Sequence, residues 1–283
     1  MGATKKDRRI NTVLSVLFTI LCIAWLYPVF MILMNSLKTE RAITTSHAFD
    51  LPNAETFVGL KNYIYGIQEM DFLSSFWYSL VITVSSVALI LLCCSMCAWY
   101  ITRVQNTLSK GMYYLCVFSM IVPFQMVMFT LAKTADTLKL NNPYNICIIY
   151  LGFGAGLAVF MFTGFMKSVP MEIEEAAMID GCGPFRILTS IIIPMCKPGI
   201  VTVCMISAMA AWNEYPVALV MVTDPTKATL PVGLANLYEI QRYATDWGAL
   251  FAALVLALIP TVILFIVGQK QLVQGLSVGG VKG

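Results

Sequence analysis

Six long apolar runs limit what this chain of 283 residues can fold into. An α-helix needs about 20 apolar residues to cross the hydrocarbon core of a bilayer. The runs occupy residues 13–34, 72–100, 112–131, 145–166, 200–222 and 247–267. Hydrophobic residues make up 59% of the chain and charged residues only 12%, which is more apolar surface than a soluble domain needs. We therefore expect an all-α polytopic membrane protein with six transmembrane helices.

The basic residues predict how these spans are oriented. Lys5, Lys6, Arg8 and Arg9 precede the first run, which is longer than the apolar core of a signal peptide. Basic residues also follow the second, fourth and sixth runs, and such excesses are typical of cytoplasmic segments. We expect both termini in the cytoplasm. The formal net charge of +3 is too small to indicate a nucleic-acid partner.

A polar segment at residues 167–198 interrupts the C-terminal half of the chain. Ser168 and Pro170 are typical of a helix start, and Gly181 is typical of a helix end. Pro184 can begin a second short helix. The segment is therefore predicted to form a rigid cytoplasmic elbow.

The first helix of the elbow carries an acidic start and a small-residue centre. Glu172, Glu174 and Glu175 crowd its first turns, where the helix dipole favours negative charge. Ala176 and Ala177 follow, and their small side chains allow another surface to approach the backbone. The alternative is an amphipathic helix that rests on the membrane surface.

The spacing of this segment resembles a known family. Glu175-Ala176-Ala177, Gly181 after three residues, and Ile191, Ile193 and Pro194 further on resemble the E-A-A-x3-G-x9-I-x-L-P signature of permease subunits in binding-protein-dependent ABC importers. The only departure is Ile193 in place of leucine. Trp212-Asn213-Glu214-Tyr215 and the ending Val273–Gly283 resemble the carbohydrate-uptake branch, in particular the smaller permease of the maltose-type pair.

The resemblance implies a type I ABC importer permease fold with a coupling helix between spans 4 and 5. Met171–Asp180 would dock in a cleft of an ATPase subunit through Glu174 and Glu175. The full set of implied coupling residues is Glu174, Glu175, Ala176, Ala177, Asp180 and Gly181.

The resemblance also implies the cellular location and the partners of this chain. The subunit would import di- or oligosaccharides across the bacterial cytoplasmic membrane as part of a heterodimer with a second, homologous permease. Two ATPase subunits would bind ATP and Mg²⁺, and an extracellular solute-binding protein would contact the loop Thr223–Asp246. The tail Gly275–Gly283 would reach the ATPases.

This chain lacks the G-x-x-x-x-G-K-[ST] phosphate loop, so we expect it to hydrolyse no ATP and to bind no cofactor of its own. The expected organisation is an N-terminal part at 1–71, a core permease domain at 72–268 and a cytoplasmic tail at 269–283.

Glu214 is the most informative polar residue of the predicted spans. An ionisable group at membrane depth costs about 2.5 kcal/mol or more, so it usually faces a bundle interior or water. Pro216 loosens the fifth span beside it. Asn213, Glu214 and Tyr215 are therefore candidates for the sugar path, as is Gln125 beside Pro123. A structural hydrogen bond that holds a broken helix together explains Glu214 equally well.

Other constellations favour packing over chemistry. Cys93, Cys94 and Cys97 lie within a span without a histidine nearby, and we expect them to pack as small apolar groups. Gly152, Gly154 and Gly156 lack the strand and acidic residue of a dinucleotide fold, so close helix packing is the better interpretation. His47, the only histidine, is expected in a solvated loop.

Two further functions stay open. An importer for amino acids or peptides would share the E-A-A elbow. A secondary transporter driven by an ion gradient would need paired carboxylates within the membrane and an inverted repeat. Glu214 is the single carboxylate of the predicted spans, and the sequence shows no convincing repeat, so this alternative is the weaker one. A purely structural scaffold would explain neither the elbow nor Glu214.

Overall fold

The computed structural model describes residues 5–47, 49–244 and 246–280, and their regular secondary structure is helical apart from one isolated bridge between Lys38 and Phe57. The helices are α1 Lys5–Asn35, α2 Glu40–Thr45, α3 Lys61–Glu69, α4 Phe72–Arg103, α5 Thr107–Ser119, α6 Phe124–Thr137, α7 Cys147–Met166, α8 Met171–Ile179, α9 Pro184–Ile187, α10 Ile193–Met195, α11 Lys197–Trp212, α12 Pro216–Met221, α13 Leu230–Ala244 and α14 Trp247–Gly280. A π-helical turn at Leu188–Ile192 joins α9 to α10, and a 3₁₀ turn at Pro225–Lys227 precedes α13.

Within the described residues, four helices are long and apolar enough to cross a membrane. Up to six spans result if each of two bent pairs counts as one, namely α5 with α6 and the segment Pro184–Met195 with α11. The continuous ones lie in α1, α4, α7 and α14. The prediction of an all-α membrane protein is confirmed.

The third and fifth predicted runs are not single helices. Residues 112–131 fall on α5 and α6, which meet at an angle of 106°. The break lies just before Pro123, which cannot donate a backbone hydrogen bond. Residues 200–222 fall on α11 and α12, and the chain leaves the helix at Asn213–Tyr215. Glu214 therefore lies at a helix break and not inside a continuous span.

The last helix runs beyond its predicted end. The sixth run was expected to stop at residue 267, but α14 continues to Gly280. Most of the predicted tail at 269–283 is thus helical. Residues 281–283 lie outside the described part of the chain.

Contacts within the chain define two compact units. One compact unit contains the chain up to Phe72 together with Leu234–Leu258, and the other contains Leu73–Gly233 with the remainder of α14. In the first unit, α3 and the start of α14 come very close together. A Cβ atom on Gly66 would lie 2.9 Å from the carbonyl oxygen of Ala249. Residues far apart in sequence therefore share this unit.

The core of the second unit forms around α4, α7 and the elbow. Phe162, Met166, Ile187 and Ile192 are fully buried in it, together with Cys94 and Ala98 of α4. The expected packing role of Cys94 is confirmed, and the described residues contain no cluster of side chains suited to a metal ion.

The glycines of α7 allow close helix contact, as predicted. A Cβ atom on Gly156 would lie 2.5 Å from the carbonyl oxygen of Cys116 in α5. One on Gly154 would lie 2.5 Å from Ile90 in α4, whereas Gly152 faces open space. Two of the three glycines thus serve packing.

Candidate functional site: the elbow helix and the helix break

The elbow contains a short helix with a sharp end, as its sequence predicts. Gly181 adopts φ +81°, a left-handed conformation that favours glycine. The amide of Cys182 donates to the carbonyl of Ala177 at 2.9 Å and closes the last turn. The start differs from expectation, because Ser168 donates to the carbonyl of Phe165 and does not cap α8. Pro170 occupies the cap position without a side-chain hydrogen bond.

Glu174 is anchored inside the protein. Its side chain is 1% exposed and forms an ion pair with Arg103, the last residue of α4. Arg103 Nε donates to its carboxylate at 2.6 Å, and Trp99 Nε1 donates at 3.0 Å. Arg103 also donates to the carbonyl of Val169 at 3.0 Å. One guanidinium therefore joins the end of α4, the α7–α8 connection and α8.

Direct contact of Glu174 with an ATPase was expected, whereas in this structure the carboxylate faces inward and is bound by Arg103 and Trp99. Ala177 also faces inward, with 7% exposure, in the cluster that contains Ile187 and Leu188. Residues three apart lie on one helix face, so Glu174 and Ala177 together form the inner face of α8.

The opposite face of α8 is exposed. It consists of Glu172, Glu175, Ala176 and Ile179, which follow the spacing of one helical stripe. Ile179 is 87% exposed. We call these four residues the outer face of α8. Asp180 and Gly181 beyond it are exposed as well, so Glu175, Ala176, Asp180 and Gly181 remain accessible to a partner.

Arg103 and Trp99 were not identified from the sequence as site residues. Arg103 counted only as one of the basic residues that predict orientation. The position of Arg103 at the end of a span, one helical turn after Trp99, was the sequence feature that could have marked it as a site residue. The pairing itself joins residues 71 positions apart, which local patterns do not reveal.

Glu214 organises the helix break between α11 and α12. Its carboxylate accepts hydrogen bonds from the amide of Val217 at 2.9 Å and from that of Ala218 at 3.1 Å. The hydroxyl of Tyr150 in α7 donates to it at 3.3 Å. Pro216, at the first position of α12, has no amide hydrogen to satisfy. Of the two roles considered for Glu214, the geometry supports the structural one.

The other path candidates keep exposed polar groups. Asn213 is exposed and donates to the carbonyl of Met209 at 2.8 Å, and Tyr215 is 36% exposed. Gln125 is exposed on the first turn of α6. Helices α6 and α12 pack in one cluster, in which Phe124 and Leu131 meet Val217 and Met221. Gln125 therefore lies on a helix that packs against α12, and Asn213 and Tyr215 lie in the break just before α12.

The described residues combine several apolar helices long enough to span a membrane, a helix break stabilised by a half-buried carboxylate, and an anchored surface helix. These are features of a multi-pass transport protein. Residues 90–278 match the family described as binding-protein-dependent transport system inner membrane component. The chain belongs to this family. It is a permease subunit of an ABC transporter and not an enzyme, and ATP hydrolysis lies in partner subunits.

Individual relatives agree with this assignment. The chain is 32% identical to a probable starch degradation products transport system permease protein of Thermoanaerobacterium thermosulfurigenes, over 95% of this chain and 96% of the relative. It is also 32% identical to a multiple sugar-binding transport system permease protein of Streptococcus mutans, over 98% of this chain and 100% of the relative.

A solved structure shares the fold. It is a bacterial ABC transporter involved in the import of the acidic polysaccharide alginate, with a TM-score of 0.79 at 24% sequence identity. The alignment covers 95% of this chain and 99% of that chain. The chain therefore has the fold of an ABC importer permease.

Proposed function

We propose that this chain is the transmembrane subunit of an ATP-driven importer that moves di- or oligosaccharides, delivered by an extracellular binding protein, into the cytoplasm. The observation that carries the coupling part of this proposal is the two-sided character of α8. Its inner face is bound to the membrane domain through Glu174, and its outer face is free for a partner.

The outer face of α8 suits docking in a cleft of an ATPase. Glu175 supplies charge, Ala176 leaves space for close approach, and Ile179 supplies exposed apolar area. Exposed apolar side chains beside charged ones are typical of protein–protein contacts. In this arrangement Glu175 and Ala176 meet the ATPase, while Glu174 acts indirectly as a positioning residue.

The inner face would carry the movement onward. A push on α8 reaches α4 through the Glu174–Arg103 pair and reaches the core through Ala177. Packed interiors move as discrete bodies and do not deform continuously, so α8 can act as a lever that changes the access of the transport path.

The proposed assembly has a second permease, two ATPases that bind ATP and Mg²⁺, and the binding protein. The most apolar stretch of α1 has none of its residues buried within this chain, which leaves its surface for lipid or a second permease. The segment Thr223–Asp246 was expected to be a loop but contains α13; Thr245 lies outside the described residues, and the segment would meet the binding protein. The tail Gly275–Gly283 would approach the ATPases, with both termini in the cytoplasm.

The sugar assignment rests on the relatives, two of which are named for starch degradation products and for multiple sugars. Exposed polar groups at Asn213, Tyr215 and Gln125 are the candidates for contact with the solute along the path. Glu214 would shape that path by holding α12 in place.

The coupling proposal is tested by reversing one charge on the outer face of α8. We expect Glu175→Arg to abolish co-purification of the ATPase and uptake, at a normal amount of protein in the membrane. The matched control is Glu55→Arg, an exposed residue of the predicted external loop. Normal assembly and uptake in Glu175→Arg would refute docking through this face.

The solute is tested by ATP hydrolysis of the purified complex, stimulated by its binding protein, across a panel of oligosaccharides. Stimulation by one saccharide class supports the proposal. Stimulation only by amino acids or peptides would assign another solute. Uptake that persists without ATP and follows an ion gradient would instead indicate a secondary transporter.

A further inference from the structure

The ends of three helices line a partly open cavity of about 340 Å³ with polar and apolar walls. Its walls come from the end of α4, the first turns of α5 and the end of α7. This volume lies in the range of small-ligand sites, about 300–1,000 Å³. The cavity shares no wall residue with α8 or with the helix break at Glu214.

Two lysines line this cavity without a neutralising carboxylate. They are Lys110 near the start of α5 and Lys167 just after α7, and none of the lining residues is acidic. In the described part of the chain, the ion pairs within 4 Å are Arg103–Glu174 and Asp224–Lys227, so neither lysine has such a partner. Two like charges facing one cavity repel each other, and a bound anion removes that repulsion.

The donors available to a ligand in this cavity come from other side chains than its hydroxyl-bearing Ser109 and Thr102. These two donate their hydroxyl hydrogens to the carbonyls of Asn106 and Ala98, so they offer no hydrogen to a ligand. Lysine ammonium groups donate only, and Gln105 and Tyr113 of the wall also carry hydrogen-bond donors. A phosphate group has several acceptor oxygens and negative charge, and it matches this set.

The position of the cavity indicates where the phosphate would come from. Two of its walls are the ends of apolar helices, at Thr102 of α4 and Thr163 of α7. Tyr113 and Tyr114 lie beside these ends, and tyrosine is enriched at the level of lipid headgroups. The start of α5 adds the positive end of its helix dipole. Basic pockets between membrane helices on the cytoplasmic side bind anionic headgroups.

We propose that this cavity binds the phosphate of an anionic phospholipid, held by Lys110 and Lys167 with Tyr113 and Gln105 as neutral donors. The site goes beyond the transport function, because it depends neither on the identity of the solute nor on docking of α8. It would tie the ends of α4, α5 and α7 to a lipid of the same leaflet.

The test compares lipid binding by the purified complex in nanodiscs that contain phosphatidylcholine with or without phosphatidylglycerol. Retained phosphatidylglycerol is counted by native mass spectrometry, and its affinity is measured with a fluorescent phosphatidylglycerol. We expect the double variant Lys110→Gln and Lys167→Gln to lower this affinity about 30-fold, since each lysine near an anionic surface contributes about fivefold. Replacement of both lysines by arginine should restore binding.

The matched control is the double variant Lys197→Gln and Lys270→Gln, which removes the same charge from two exposed lysines outside the cavity. It should bind phosphatidylglycerol as the unmodified complex does. Equal binding by the cavity variant and the control would overturn the proposal, and so would equal binding of phosphatidylcholine.

Two further outcomes would assign the cavity to something else. Displacement of the lipid by millimolar inorganic phosphate or glycerol phosphate would show a soluble phosphate ligand and overturn the lipid source. Loss of the ATPase from the cavity variant, with unchanged lipid binding, would show a protein contact instead. A lipid count and affinity that fall only in the cavity variant support the site.

Discussion

Replacing Glu174 with alanine should detach α8 from the end of α4. The substitution removes the acceptor of two side chains, because Arg103 Nε and Trp99 Nε1 both donate to this carboxylate. Arg103 keeps its hydrogen bond to the carbonyl of Val169 but loses its counter-charge. The outer face of α8 is not altered.

The size of the effect follows from burial. Removing one partner of a buried ion pair costs about 3–5 kcal/mol of unfolding free energy, since it leaves an uncompensated charge. The side chain of Arg103 is 14% exposed and can reach some water, which places the expected loss near the lower end, at about 3 kcal/mol. Glu172→Ala, on the exposed first turn of the same helix, should change the unfolding free energy by no more than about 0.5 kcal/mol.

The assay measures the unfolding free energy of the purified complex by titration with a denaturing detergent. It also follows maleimide labelling of Cys196, read by peptide mass spectrometry. Cys196 is 3% exposed and belongs to the core cluster that contains Ala177. We expect Glu174→Ala to become labelled, and Glu172→Ala to stay unlabelled.

A double variant provides an internal check. Arg103→Leu combined with Glu174→Leu should lose less unfolding free energy than either single change, because an apolar pair leaves no buried charge. If Glu174→Ala and Glu172→Ala unfold alike and both protect Cys196, the pair does not anchor α8.

Substitutions at three other places test separate contacts. Glu214→Ala should lower the unfolding free energy by about 1–2 kcal/mol, because α12 loses its cap. Glu214→Gln keeps an acceptor and should keep most of the stability. Reduced uptake by Glu214→Gln at full stability would instead place the carboxylate in the solute path. Gly156→Ala should lower the unfolding free energy by about 1–3 kcal/mol, because the added methyl group would collide with α5. Gly152→Ala should leave the unfolding free energy unchanged or raise it. Equal unfolding free energies of the two variants would contradict the close contact at Gly156. Burial raises the pKa of Glu40 above its usual range, against the lowering effect of amide donors from Gly248 and Trp247. Because the folded state then binds the proton more tightly, the unfolding free energy falls as pH rises from 4.5 through the raised pKa. Glu40→Gln should lack this fall. The same dependence of unfolding free energy on pH in Glu40→Gln and the unmodified protein would refute the raised pKa.

The elbow shows how far local sequence information reaches. The helix start near Pro170 and its end at Gly181 follow from backbone preferences of single residues, and the structure has both. The direction in which Glu174 points does not follow from them. Three glutamates share the first turns of α8, and only the partner on α4 distinguishes the buried one from the exposed ones.

The broken spans also depend partly on local sequence and partly on tertiary packing. Pro123 and Pro216 mark positions where a helix can be interrupted, but the bend of 106° between α5 and α6 depends on what each half packs against. The ambiguity over Glu214 also needed the tertiary structure. Its contact with Tyr150 joins residues 64 positions apart.

The sequence by itself determined that this chain is a helical membrane protein with a polar elbow, because apolar run length, charge and turn residues act locally. It also predicted the packing role of Gly154 and Gly156 in α7. The tertiary structure alone decided that Glu174 faces inward to Arg103, that Glu214 caps a helix, and that Lys110 and Lys167 face one cavity. These pairings depend on which helix ends meet in space, and that arrangement is set by the packing of the whole bundle and by no single stretch of the chain.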